Sequence, residues 1–296
     1  MQSLPLIVSV VVAAVVVPPI VRALAIQGFV AKNYRRVVLP FPSGLAIPIA
    51  AMLALIPLAL VQELAGVHVF RPGAYPAVTY VIGVALLGVV DDFVGSGLFA
   101  ASGAAATARP ERAVKPTPRG WRGHTKAILG GGFSTGAAKA AGSLGLALFA
   151  LSGQNRSTEE YLVGAGVLVL ATNLFNLLDL RPGRSAKVLI LLGAALSLGA
   201  WSAHGLWTVG LFLGPILVLL PFDLRERGML GDTGSNAIGA VAGLWLVATL
   251  STTGQAIALA VMAVVTVYGE FRSISALIER TPGLRQLDSL GRIQHA

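Results

Sequence analysis

The sequence predicts an all-α, polytopic membrane protein, and three observations carry that expectation: its composition, the spacing of its apolar runs and the sidedness of its charge. Hydrophobic residues make up 55% of the 296 positions and charged residues 12%, with a mean hydropathy of +0.78. A chain of this composition has too little polar surface to cover a water-soluble domain.

Apolar stretches occur near residues 4–24, 44–64, 76–96, 133–152, 160–177, 186–202, 205–221, 233–251 and 254–271. Most approach the roughly 20 residues that a helix rising about 1.5 Å per residue needs to cross about 30 Å of hydrocarbon. They predict about nine transmembrane helices. The first run has no basic residue before its apolar core, continues through Pro18-Pro19 and shows no small-residue cleavage pattern, so it reads as a retained span rather than a secretory signal. Pro18, Pro19, Pro48 and Pro57 sit inside apolar runs, where close helix packing accounts for them better than kinks.

The loops set the expected orientation. Of 22 Lys and Arg residues, only Arg71 and Arg156 fall in the loops that follow even-numbered spans. By the positive-inside rule the N-terminus is then outside and the C-terminus cytoplasmic, as an odd number of spans requires. The net charge of +9 is explained by this topology and by anionic headgroups. No base-stacking aromatic array accompanies the basic residues, so nucleic acid is not an expected partner. The absence of cysteine excludes disulfides, thiolate chemistry and sulfur-ligated metals.

Residues 1–296 read as a single integral-membrane domain without internal repeats. Residues 97–125, rich in Ala, Gly, Pro and Arg and without hydrophobic periodicity, read as a cytoplasmic loop, and 272–296 as a cytoplasmic tail.

Of the 13 acids, only Glu63, Glu159 and Glu160 are assigned to the outer side. Four of the others stand at span ends: Asp91 and Asp92 in "GVALLGVVDDFVG", Asp179 in "ATNLFNLLDLRPGR" and Asp232 in "MLGDTGSNAIGAVAG". Singly, each has a plain structural reading; Asp232, with Thr233 and Ser235 behind it, could be a helix cap. Three acidic clusters on one membrane face are costly unless paired, hydrated or bound to a cation. Oxygen-only donors favour Mg²⁺, and Mg²⁺ favours a phosphate-bearing substrate.

These residues carry a resemblance. The chain resembles the polyprenyl-phosphate N-acetylhexosamine-1-phosphate transferase superfamily, which includes the phospho-N-acetylmuramoyl-pentapeptide transferases and the N-acetylglucosamine-1-phosphate transferases. Four motifs occur in the order of that superfamily, between about residues 20 and 250. They are the basic loop and Pro/Gly turn "AKNYRRVVLPFPSGLAIP", the Asp91-Asp92 pair after "GVV", the N-x-x-N-x-x-D run of Asn173, Asn176 and Asp179, and the "GDTGS" of Asp232.

The resemblance implies a Mg²⁺-dependent enzyme of the cell membrane with its site on the cytoplasmic face. It would transfer a sugar-1-phosphate from a UDP-sugar to a polyprenyl phosphate, release UMP, and serve peptidoglycan or another envelope polysaccharide. Asp232 is implied as the principal metal ligand, with Asp91 and Asp92 at the metal and the reacting phosphates. Asn173, Asn176 and Asp179 would line the nucleotide-sugar site, Lys32 would approach the nucleotide, and Lys126 or Lys139 the phosphates. The resemblance also admits a homodimer.

The chain departs from the pattern in two places. Where the peptidoglycan enzymes typically carry D-G-L-D-G, it reads "DLRPGR", with Pro182 in place of the second aspartate and with Arg181 and Arg184 added. Its late loop "ERTPGLRQLDSLGRIQHA" holds only His295, and Arg285 and Arg292 there read equally well as substitute anion contacts or as topology and headgroup residues. A catalytically inactive lipid- or partner-binding member is therefore the alternative. Other classes fit less well. An aspartyl intramembrane protease needs two carboxylates sharing a proton inside facing helices, a transporter places polar groups near the midplane, and "LGGGFSTGAAK" lacks the lysine of a phosphate-binding glycine loop.

Overall fold

The structure, a computed structural model, describes residues 2–70, 73–95 and 135–293. The 97–125 loop, Lys126, residues 130–132 and His295 lie outside the described residues. Within them the chain forms eleven α-helices: α1 (Leu4–Ile26), α2 (Ala46–Ala65), α3 (Ala74–Gly95), α4 (Thr135–Leu151), α5 (Thr158–Leu178), α6 (Arg184–Gly199), α7 (His204–Leu224), α8 (Gly231–Thr249), α9 (Thr252–Phe271), α10 (Ile274–Arg280) and α11 (Pro282–Ser289).

Each of the nine apolar stretches lies in one of the helices α1 to α9. Six of these, α1, α2, α3, α5, α7 and α9, are long and apolar enough to cross a membrane, and they make the chain a multi-pass membrane protein. The remaining three fall outside that group for identifiable reasons. At 17 and 16 residues, α4 and α6 are short of the roughly 20 needed. In α8, Gly, Ser, Thr and Asn dilute the apolar residues.

Burial explains the composition of α8. Every residue from Thr233 to Val247 is buried, and α3, α5, α6 and α7 all pack against the helix. A helix enclosed by protein need not be as apolar as one facing lipid, and small residues let neighbouring backbones approach. Around it, α1 packs on α2 and α7, and α9 packs on α5. The α1–α7 contact is pinned by Ser9, whose Oγ donates to Gly210 O at 3.1 Å. Pro18 and Pro19 leave α1 as one continuous helix.

One local element departs from the all-α expectation. Residues Val30–Lys32 (β1) and Val38–Pro40 (β2) pair antiparallel, with Ala31 opposite Leu39. Asn33 closes the turn, its Oδ1 accepting from Arg35 N and Val37 N, both at 2.9 Å. The chain then runs into a 3₁₀ turn, Ser43–Leu45, that is bonded to the segment preceding α8. Met229 N donates to Pro40 O (2.9 Å), Ser43 N to Met229 O (2.8 Å) and Gly44 N to Leu230 O (3.0 Å). Gly44 and Gly234 stack so closely that a Cβ added to Gly234 would lie 2.9 Å from the Gly44 Cα. The "PFPSG" turn and the "GDTGS" motif, almost two hundred residues apart, are thus one clasp at the start of α8.

The tail is folded rather than free. Arg184, buried at the start of α6, grips Asp288 through Nε (2.8 Å) and Nη2 (3.0 Å) and donates from Nη1 to Ser275 Oγ (2.9 Å). Arg292 donates to Asp288 Oδ1 (2.6 Å) and Pro182 O (2.9 Å), and Lys187 Nζ donates to the main-chain oxygens of Leu287, Asp288 and Leu290. Arg292, a candidate anion contact in place of a histidine, is therefore committed to holding the tail. The reason is Asp288, whose carboxylate sits between two guanidiniums and answers the buried charge of Arg184.

Candidate functional site

The acids expected at span ends gather at one end of the bundle. Asp91 and Asp92 end α3, Asp232 opens α8, Lys139 stands in the first turns of α4 and Asn176 in the last turn of α5. Lys139 Nζ donates to Asp232 Oδ2 at 2.5 Å and lies 3.6 Å from Asp91 Oδ2. Asn176 Nδ2 donates to the same Asp232 oxygen at 3.2 Å, and Ser235 Oγ donates to Asn176 Oδ1 at 3.3 Å. The Lys139 side chain is only 14% exposed, and its ammonium sits between two carboxylates.

Asp92 has a different task. Buried, it accepts from Asp232 N (2.7 Å) on one oxygen and from Thr233 N (2.9 Å) and Thr233 Oγ1 (2.6 Å) on the other. These are orphan donors at the start of α8, whose own N-cap, Leu230, supplies no side-chain bond. The cap that the sequence suggested Asp232 could supply comes instead in trans, from a carboxylate of α3 that also faces the positive end of the helix dipole. Gly88 makes the crossing close enough. A Cβ there would lie 2.6 Å from Asp232 O and Thr233 N, so only glycine lets α3 deliver Asp92 and Asp91 to this point.

Asp179, one turn beyond Asn176, caps the end of α5 and accepts from Ser185 Oγ at 3.2 Å. Burial pushes its carboxyl well above the usual carboxylate range, and the nearby Asp223 pushes the same way. It lines a small cleft of ≈ 60 Å³ with Asn33, Tyr34, Arg181 and Asp223. The Arg181 guanidinium lies 4.1 Å above the Tyr34 ring, and Glu226 holds the hairpin turn through Asn33 (2.9 Å) and Arg35 (2.7 Å).

Not every expected residue joins the cluster. Asn173 is exposed on α5, and Lys32 is exposed on β1. Lys126 lies outside the described residues. Asp223 is a site neighbour that the reading of span ends overlooked. It stands at the end of α7, and its Oδ2 accepts from Gly183 N at 2.6 Å, fixing the α5–α6 turn. The signal that would have found it is the one applied to the other four, an acid closing an apolar run.

The described residues contain no group of three acidic, His or Cys side chains able to enclose a metal. Both oxygens of Asp92 accept hydrogen bonds from the start of α8. Asp91 and Asp232 nevertheless suit Mg²⁺, which is usually held by one or two carboxylates and keeps waters and substrate phosphates for its other positions. The chain matches no protein-family model, and no curated protein matches it.

Proposed function

We propose that this protein is a Mg²⁺-dependent phosphoglycosyl transferase of the polyprenyl-phosphate N-acetylhexosamine-1-phosphate transferase superfamily. It joins a sugar-1-phosphate from a UDP-sugar of the N-acetylhexosamine type to a polyprenyl phosphate and releases UMP, in the synthesis of peptidoglycan or another envelope polysaccharide. In this reading α1 to α9 are nine spans of the cell membrane, with the N-terminus outside and the acidic end of the bundle at the cytoplasmic face.

The observation that carries the reading is the meeting of Asp91, Lys139, Asn176 and Asp232, from four different helices, where a lipid phosphate and a water-soluble nucleotide sugar can both arrive. The lipid phosphate oxygen forms a bond to the sugar-bearing phosphorus while the diphosphate bridge breaks and UMP leaves. Both reactants are anionic, so the first demand on the site is positive charge. Mg²⁺ held by Asp91 and Asp232 supplies part of it. Lys139 supplies another part, because turning its flexible stem away from the two carboxylates presents its ammonium to a phosphate. Asn176 fixes the orientation of Asp232 (3.2 Å), and Asp92 is a positioning residue that sets the register of α8. Asp179 with the Tyr34 hairpin forms the adjoining wall for the nucleotide sugar, and Lys32 and Asn173 are exposed on β1 and α5.

A second reading, a catalytically inactive lipid- or partner-binding member of the superfamily, draws on Arg184 and Arg292. Arg184 reaches Asp288 of the tail and Arg292 of the tail reaches back to Pro182 O, so the altered "DLRPGR" segment serves the fold instead of a ligand. Release of nucleoside monophosphate by the purified protein with undecaprenyl phosphate, Mg²⁺ and a panel of UDP-sugars separates the two. Turnover with one donor, lost in Asp232→Asn, supports the transferase. Silence across the panel from a folded protein supports the inactive member.

A further inference from the structure

The end of the bundle opposite the acids holds a cleft of ≈ 720 Å³, within the range of roughly 300–1,000 Å³ typical of small-molecule sites. It is bounded by the starts of α1, α3 and α7, the ends of α4 and α8, and the loops before α3 and α5. Its depth is apolar: Val69, Ala150, Leu151, Phe212 and Leu244 are all buried there.

The rim is polar, and its charge is sorted. Arg156 is the only described Lys or Arg at this end of the bundle, and it lines the cleft. His68 and His204, the two described histidines, line it as well. The acids of the same end, Glu63, Glu159 and Glu160, do not. Glu160 is instead tied into the capping box of α5, accepting from Ser157 N at 3.0 Å. Arg156 is also oriented. Its Nε donates to Gln154 Oε1 at 3.1 Å, and its terminal nitrogens have no partner among the described residues.

An apolar cavity of this volume, with Arg156 at its mouth and the described acids of that end outside its lining, is complementary to one kind of molecule: an acyl chain ending in an anionic headgroup. We infer that this cleft binds an anionic phospholipid of the adjacent leaflet, its chain between α3, α7 and α8 and its phosphate on Arg156, with His68 and His204 as further hydrogen-bond donors. A guanidinium is suited to phosphate because it donates from two parallel N–H groups. This inference does not depend on the proposed transferase, since none of these residues touches the acidic site.

Photolabelling tests it. The full-length protein in nanodiscs is exposed to phosphatidylglycerol carrying a diazirine on its acyl chain, or to the matching phosphatidylcholine probe, and labelled peptides are mapped by mass spectrometry. The expected result is preferential labelling by phosphatidylglycerol of peptides containing Phe70, Trp207 or Leu244. Arg156→Gln should reduce that labelling by about fivefold while leaving the phosphatidylcholine background in place. Ala77→Phe, which fills the cleft, should remove it. Since Ala77→Phe sits in a packed region, its melting temperature is measured alongside, and Arg156→Gln, at a half-buried rim position, carries the test if the other fails to fold. Equal labelling of the cleft by both probes, or labelling confined to other surfaces, would overturn the inference. So would displacement of the labelled chain by glycerol 3-phosphate alone, which would assign the rim to a soluble phosphate.

Discussion

At one end of the bundle Asp91, Lys139, Asn176 and Asp232 form a tight network in which each charge has a partner within 3.6 Å. At the other, Arg156, His68 and His204 surround an open cleft of ≈ 720 Å³ whose walls are apolar. The same helices build both: α3, α4, α7 and α8 each contribute one end to the network or its neighbours and the other to the cleft. The difference teaches where this fold tolerates close approach. At the acidic end Gly88, Gly44 and Gly234 bring backbones almost into contact, and the carboxylates are delivered to one point. At the far end the starts of α1, α3 and α7 and the ends of α4 and α8 leave open space between walls that include Val69, Leu151, Phe212 and Leu244.

The largest expected effect is at the acidic end. Asp232→Asn keeps a side chain of the same shape but removes the charge shared by Lys139 and Asn176. We expect a fall in kcat of about 10³-fold or more with a nearly unchanged melting temperature, the size seen when one preorganised electrostatic group is lost. Steady-state nucleotide release checks it, and a variant that keeps its activity sinks the assignment of Asp232.

Next comes Gly88→Ala. A methyl group placed 2.6 Å from the α8 backbone must push α3 and α8 apart, costing about 1–3 kcal/mol or more and lowering both Tm and activity. An alanine at Gly145, where no atom stands within 4 Å of an added Cβ, is the control and should leave Tm unchanged. Should both behave alike, the close crossing of α3 and α8 is not what holds the acidic end together.

Asp92→Ala separates capping from chemistry. It leaves the first N–H groups of α8 unsatisfied, with an expected loss of about 1–3 kcal/mol in thermal stability. Asp92→Asn retains one acceptor oxygen and should recover part of that stability and of the activity. If Asp92→Asn is fully stable yet inactive, Asp92 touches substrate as well as α8.

The smallest effect has the opposite sign. Burial and Asp223 raise the carboxyl of Asp179, so the folded chain holds this proton to higher pH than the unfolded chain does. Its stabilising contribution is complete below about pH 4, where the unfolded carboxyl is also protonated, and is lost as pH rises through the folded value. Asp179→Asn removes that loss. We expect a rise in Tm on the order of 2 °C at neutral pH, shrinking toward zero near about pH 4, followed by differential scanning fluorimetry across pH. A fall in Tm at neutral pH would mean that the ionised carboxylate is used by the fold.

Residue type and spacing alone determined the all-α character, the apolar stretches that became α1 to α9, and the candidate status of Asp91, Asp92, Asp179 and Asp232. Hydrocarbon imposes a length and a composition on any segment that crosses it, and both are written in one dimension. Tertiary structure alone decided what each acid touches. Asp91 and Asp92 are adjacent in sequence, yet one faces Lys139 and the other caps α8, because consecutive positions on a helix point about 100° apart. Lys139, named in the sequence only as a candidate phosphate contact, becomes the counter-ion of two carboxylates only when α4 packs on α3. The pairing of Arg184 with Asp288 and the cleft around Arg156 were equally hidden, since they join segments remote along the chain. Local sequence records propensity and solvent, whereas electrostatic partners and cavities are properties of how the helices meet.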